Sequence, residues 1–199
     1  MKKYSGFTLI ELVVAMAIVG ILLTLAVPSL KAYMQNNRLI AASNDLLSAL
    51  HIARSEAIKL NKRVSICDST DGENCTGTGN WDTGWIVFID AANAVTGGTG
   101  VPCTEATVNT DDCLLRINEG FNDTQITAKG NYDGTNIPIT SFTFTSRGLP
   151  RDAGNSADFG TFSLCSLDGS GGVVDQRAVI LSVPGKVRIS NEVSLITCP

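Results

Sequence analysis

The first feature of the chain is one long apolar run. Phe7 to Leu30 reads FTLIELVVAMAIVGILLTLAVPSL. As a helix these ~24 residues extend roughly 36 Å, enough to cross a hydrocarbon core. Beyond Lys31 the pattern becomes one-sided. Leu39, Ala42, Leu46, Leu50, Ala53, Ala57 and Leu60 recur at spacings of three and four, and Arg38, Asp45, Arg54, Glu56 and Lys59 fall on the other faces. This predicts an amphipathic helix to about Lys62 whose apolar stripe packs on a folded head. After Lys62 come short β-like runs at Val64–Cys67, Gly84–Asp90, Leu114–Asn118, Thr140–Thr145, Gly160–Ser166, Arg177–Val183 and Lys186–Ser190. Glycine and proline punctuate them, as in an antiparallel sheet, and Pro184-Gly185 reads as the turn of a terminal hairpin. A long helix followed by strands is the α+β class, with the helix packed on an antiparallel β-sheet.

The flanks of the apolar run bear on topology. Lys2 and Lys3 precede it, which predicts a cytoplasmic N-terminus by the positive-inside rule. A secretory signal peptide is the alternative. Against it, the run is long for such a segment, no A-x-A-like site clearly ends it, and it passes straight into the amphipathic helix. Glu11 stands inside the run, where an unpaired acid costs a few kcal/mol, so it calls for a partner or a place near the interface to which it can snorkel. A cut after Gly6 would create an α-amino group at Phe7. That amine on a neighbouring subunit would neutralise Glu11 and set an axial stagger between chains. Pro28 lies near the end of the run and either ends the span or kinks the helix.

Composition narrows the classes. Hydrophobic residues at 44% and charged residues at 17% exclude bulk disorder. The formal charge is −4, and without Lys2 and Lys3 it becomes −6, from 13 basic against 19 acidic residues. An acidic chain does not bind nucleic acid through its overall field, so such binding would need a local basic patch. Cys67, Cys75, Cys103, Cys113, Cys165 and Cys198 all follow the apolar run. An even number on one side of an anchor reads as disulfides in an oxidising compartment. No pair has CxxC spacing, which leaves structural zinc unsupported. Six cysteines allow 15 pairings by count; the pairing expected is Cys67–Cys75 and Cys103–Cys113, which close short loops, and Cys165–Cys198, which ties the tail to a core strand. His51 is the one histidine and lies beside the helical stripe, so no Ser-His-Asp triad and no enzyme is expected. Asp68, Asp71 and Glu73 lack EF-hand spacing and read as a solvated acidic loop rather than a calcium site, so neither metal nor cofactor is expected. Trp85 reads as core, with Trp81 packing over the loop.

The string Gly6-Phe7-Thr8-Leu9-Ile10-Glu11-Leu12, behind a basic leader and ahead of an apolar run, resembles the prepilin processing site of type IV pilins and type II secretion pseudopilins. The resemblance implies a leader at residues 1–6, cleavage between Gly6 and Phe7 by a membrane aspartyl peptidase, and N-methylation of Phe7. It also implies Glu11 as the assembly residue and a Pro28 kink that helps the helix pack in a filament. Residues 7–30 are then the transmembrane and filament-core helix, and residues 31–199 the extracytoplasmic head.

Ala53-Arg54-Ser55-Glu56-Ala57-Ile58, Val64-Ser65-Ile66-Cys67 and the Trp81-x-x-Gly84-Trp85-Ile86-Val87-Phe88-Ile89-Asp90 stretch resemble the FimT/FimU/GspH group of minor pilins and pseudopilins. Phe162–Cys165 and Arg177–Arg188 extend the resemblance; Ala91–Asp112 is an insert outside it. The resemblance implies a single-pass inner-membrane protein with a periplasmic head that joins other pilins at the tip of a pilus or pseudopilus, to initiate or cap it. The alternative is a DNA-binding minor pilin for DNA uptake. FimT proteins carry a Gly-Arg-x-Arg-like motif, and this chain has Gly185-Lys186-Val187-Arg188. Lys186 and Arg188, at i and i+2, share a strand face where two cations can contact neighbouring phosphates of double-stranded DNA, and Arg147 and Arg151 are candidates to extend the patch. The competing reading is a solvated edge strand, where lysine discourages aggregation.

Overall fold

A computed structural model describes residues 8–91, 101–104, 112–121, 126–132, 137–151, 159–168, 170–192, 194 and 196–198; side chains at 25–29 also lie outside the description. One helix, α1 (Leu9–Leu60), is followed by β1 (Val64–Asp68), β2 (Trp85–Ile89), β3 (Cys113–Asn118), β4 (Ile126–Tyr132), β5 (Ser141–Phe144), β6 (Pro150–Arg151), β7 (Gly160–Leu167), β8 (Val173–Ser182) and β9 (Lys186–Ser190). The chain divides into two compact units, residues 1–38 and 39–199.

In the second unit the helical stripe is buried as its spacing requires. Leu39, Leu46, Leu50, Ala53 and Ala57 are fully buried, Ala42 and Ala49 nearly so. Ser43 shares this face and satisfies its hydroxyl by donating to Leu39 O at 2.7 Å. The helix ends in a left-handed residue, Asn61 (φ 52°). Lys62 N–H reaches Ala57 O and Asn61 N–H reaches Ile58 O, the paired bonds that close a helix C-terminus.

The strands form two antiparallel sheets rather than one. The order is β3-β2-β1-β5-β6 in the first and β4-β7-β8-β9 in the second. One core joins Trp81, Trp85, Ile66, Phe142, Phe144, Phe162, Leu164, Val179 and Leu181 to the buried face of α1. Trp81 is wholly buried rather than lying over the loop. Its Nε1–H donates to Ile139 O at 2.8 Å, and its ring meets Phe162 edge-on at 4.9 Å. Between β1 and its neighbours, Ser65 Oγ donates to Asp90 Oδ2 at 3.1 Å and lies 2.6 Å from Thr143 Oγ1, so this buried polar group is satisfied.

Two strands fall outside the sequence reading. β4 reads ITAKGNY, and Gly130 within it gives no strand signal. Its glycine is there for room: a Cβ would lie 2.9 Å from both Ile139 Cβ and the Phe162 ring. The two-residue β6 is defined only by pairing with Thr143 and Phe144. β8 also begins earlier than its apolar core, because Val173, Asp175 and Gln176 pair with β7 while remaining partly or fully exposed.

Candidate functional site

At the N-terminal end, Gly6 and Phe7 lie outside the described residues, and Thr8 and Glu11 lie within them. Thr8 precedes the helix and caps it. Glu11 N–H donates to Thr8 Oγ1 at 3.3 Å, and Thr8 N–H and Oγ1–H both donate to Glu11 Oε2 at 3.2 Å. This reciprocal pair satisfies two otherwise orphaned donors of the first turn, where a carboxylate is also favoured by the helix dipole. The Thr-x-x-Glu spacing was present in the sequence as its signal. Glu11 thus has partners within its own first turn before any second chain approaches.

Apart from Glu11, the helix from Leu9 to Leu23 is apolar and exposed on all sides: Leu9 is 80%, Met16 70% and Ile21 64% accessible. The candidate span from residue 7 to 30 is only partly described. Among the described residues no helix is long and apolar enough to cross a membrane. α1 is continuous through position 28, and the Pro28 side chain lies outside the description.

The C-terminal candidates lie on the hairpin β8–β9. In β9, Lys186 and Arg188 are exposed and Val187 between them is buried, opposite Leu181. The two cations therefore share the outer face. The turn before them is built on Gly185 (φ 88°), which packs against a turn of the other sheet. A Cβ at Gly185 would come within 2.5 Å of Gly148 O. That second turn, between β5 and β6, carries the exposed Arg147. Arg151 is half-buried on β6, paired with Thr143, and lies off the turn. Arg54 from α1 lies at the junction: Nε–H donates to Gly148 O at 3.1 Å and Nη2–H to Pro184 O at 3.2 Å. The sequence placed Arg54 on the polar face of the helix and within the Ala53–Ile58 string, and gave no sign of these bonds, since the partners are 94 and 130 residues away.

The acidic loop after β1 is organised from within. Asp68 is fully buried, and its carboxylate accepts from Gly77 N–H, Thr78 N–H, Thr78 Oγ1–H and Gly79 N–H at 2.7–3.2 Å. Asp71 accepts from Glu73 N–H and both donors of Asn74, which holds its carboxyl well below the usual carboxylate range. Asp168 is likewise lowered, by the Ser170 hydroxyl and the amides of Gly172 and Ser170. Asp82 goes the other way: partial burial raises its pKa, and its Oδ1 has no hydrogen-bond partner. Among the described residues no group of three or more His, Cys, Asp or Glu side chains could hold a metal. His51 is exposed on α1.

Disulfides join Cys67 to Cys75, Cys103 to Cys113 and Cys165 to Cys198, with Cα–Cα distances of 5.5, 4.9 and 5.9 Å. The third binds the tail to β7, beside a second tie from Thr197 N–H to Ser163 Oγ at 3.0 Å.

Residues 42–185 match the family described as type II transport protein GspH, and residues 1–27 match the prokaryotic N-terminal methylation motif. Two fimbrial proteins of Pseudomonas aeruginosa are 39% identical over 64 residues, 32% of this chain. That stretch spans 41% of the length of each relative. Among solved structures, the type IV minor pilin FimU of Pseudomonas aeruginosa aligns with 21% identity over 79% of this chain and 92% of its own, at a TM-score of 0.49. The minor pseudopilin EpsH from the type 2 secretion system of Vibrio cholerae aligns with 12% identity over 77% of this chain and 97% of its own, at a TM-score of 0.43.

Proposed function

Because this chain belongs to the type II transport protein GspH family, we propose that it is made as a prepilin, held in the inner membrane by α1, and then moved into a pilus or pseudopilus that it initiates or caps. The observation that carries the reading is the exposed, all-round apolar helix from Leu9 to Leu23. A helix of that kind requires lipid or other apolar helices around it. Lipid surrounds it first, and neighbouring pilins replace the lipid on assembly. The match of residues 1–27 to the N-terminal methylation motif supports processing by a prepilin peptidase between Gly6 and Phe7. Mass spectrometry of membrane-extracted protein is expected to find an N-methylated Phe7 at the new terminus. An intact Met1, or a cut near Ala26, overturns this.

Glu11 then has two successive roles. In the single chain it caps its own helix through Thr8. In the filament the Phe7 amine of a neighbour pairs with it. Glu11→Ala is expected to leave insertion intact, since it removes a charge from lipid, and to lower incorporation into filaments. Normal incorporation overturns the amine pairing. Antibody labelling of the head is expected at filament ends; label along the shaft overturns the tip position.

A second reading, binding of double-stranded DNA for uptake, is favoured by one observation: the turn bearing Arg147 packs on the turn that leads into Lys186 and Arg188. Phosphate contact from so few cations gives binding that is micromolar or weaker, steeply salt-dependent and largely blind to sequence. The double variant Lys186→Gln, Arg188→Gln is expected to lose most of that binding while filaments persist. Undiminished binding rejects this reading and leaves the filament role alone.

A further inference from the structure

The two turns at the basic corner belong to different sheets. The β5–β6 turn closes with Gly148 N–H on Thr145 O at 2.7 Å, and the β8–β9 turn with Gly185 N–H on Ser182 O at 2.5 Å. No strand pairing connects them, since β6 is the edge of the first sheet and β9 the edge of the second. What joins them is Arg54. Its side chain is partly buried, and two different nitrogens of one planar group bond one carbonyl from each turn. Arginine is suited to this, because its donors are fixed in a rigid fork and its charge is permanent. The packing beneath is close. A Cβ at Gly148 would meet Ile58 Cδ1 at 2.8 Å and Arg54 Nε at 3.0 Å; one at Gly185 would meet Gly148 O and, at 3.2 Å, Arg54 Nε. Both glycines have left-handed φ, 73° and 88°, so each turn is shaped to let the other and the guanidinium approach.

We propose that Arg54 is a positioning residue that clamps the β5–β6 turn to the β8–β9 turn, so that Arg147 joins Lys186 and Arg188 as one phosphate-binding face. The inference rests on the DNA reading for its ligand and on the hydrogen bonds of Arg54 for its geometry. Nε–H and one Nη2–H of Arg54 are held by carbonyls, and its proposed contribution to binding runs through the placement of Arg147. The part of α1 within the second unit thereby also sets the spacing of cations on the head.

The test uses the full chain in detergent and separates the two supports. Amide hydrogen exchange is followed by NMR in the parent and in Arg54→Gln. The amides of Gly148 and Gly185 are expected to exchange about tenfold faster in the variant, together, while those of Leu164 and Val179 keep their parental rates. Parental rates at both turns overturn the clamp, whatever the ligand. Gly185→Ala, which drives a Cβ onto Gly148 O with Arg54 retained, is the second variant and is expected to loosen the same pair of amides. Binding is then measured with a 30-base-pair duplex of mixed sequence across a salt series. Arg147→Gln is expected to weaken binding severalfold in the parent and to have no further effect in Arg54→Gln, because the clamp has already released that turn. Additive losses overturn the positioning role. A parent with no salt-sensitive binding removes the DNA reading and the phosphate face with it, and leaves the exchange rates to judge the clamp alone.

Discussion

Asp82 and Asp71 lie eleven positions apart and respond to pH in opposite senses. The half-buried Asp82 has its pKa raised by desolvation, and one oxygen lacks a partner. Its folded value exceeds its unfolded value, so the stability linked to its protonated form is complete below the unfolded value and is lost as pH rises through the folded one. At neutral pH the fold therefore carries the cost of a poorly solvated charge. Asp82→Asn is expected to raise the urea midpoint at pH 7, with parent and variant converging below about pH 4, the ordinary carboxylate range. A lower midpoint at pH 7 would sink this account. Asp71 and Asp168 have the reverse sign. Amides and hydroxyls favour their charged forms, so their contribution is present above the ordinary carboxylate value and fades as pH falls through the lowered one. A carboxyl titration followed by NMR should rank Asp82 highest of the three.

At the scale of elements, β4 makes a close steric demand. Gly130 leaves only enough space for Ile139 and the Phe162 ring to close over it. Gly130→Val is expected to destabilise the head by about 1–3 kcal/mol through overpacking. A change below about 0.5 kcal/mol in a urea titration, typical of a surface site, would show that the site relaxes freely. The same strand shows where sequence reading stops. β1, β2 and β9 are legible because they are short apolar or alternating runs, with Gly84 and Gly185 directly before β2 and β9. β4 mixes Lys129, Gly130 and Asn131 into its seven residues and is a strand because β7 pairs with it along its whole length. The division into two sheets is hidden for a related reason: β1 pairs with β5, more than 70 residues away, and short-range pattern carries no trace of that choice. The buried stripe of α1 and the shared face of Lys186 and Arg188 follow from periods of 3.6 and 2, so both were readable. The contacts of Arg54 have no such period behind them. The Thr8–Glu11 cap does have one, and is a local signal that a reader intent on the membrane passes over.

For the whole molecule, the disulfides differ in reach. Cys67–Cys75 and Cys103–Cys113 span separations of 8 and 10 residues, whereas Cys165–Cys198 spans 33 and encloses β8 and β9. Cys198→Ser is expected to lower stability by about 2–5 kcal/mol, measured by urea denaturation without reductant. A loss under about 1 kcal/mol would mean that Thr197 and its neighbours hold the tail without the bond. The third bridge also governs how the head behaves under load. Tension applied between the helix and the last residue crosses directly from Cys165 to Cys198, so β8, β9 and the tail never enter the stretched path. The 33-residue separation is withheld from extension, roughly 115 Å of contour at about 3.5 Å per residue. In single-molecule pulling the oxidised chain should reach a final length shorter by at least that amount than the reduced one. The basic hairpin would then keep its covalent enclosure while the first sheet is drawn out, so under tension between those two points the head would yield outside that hairpin before yielding within it.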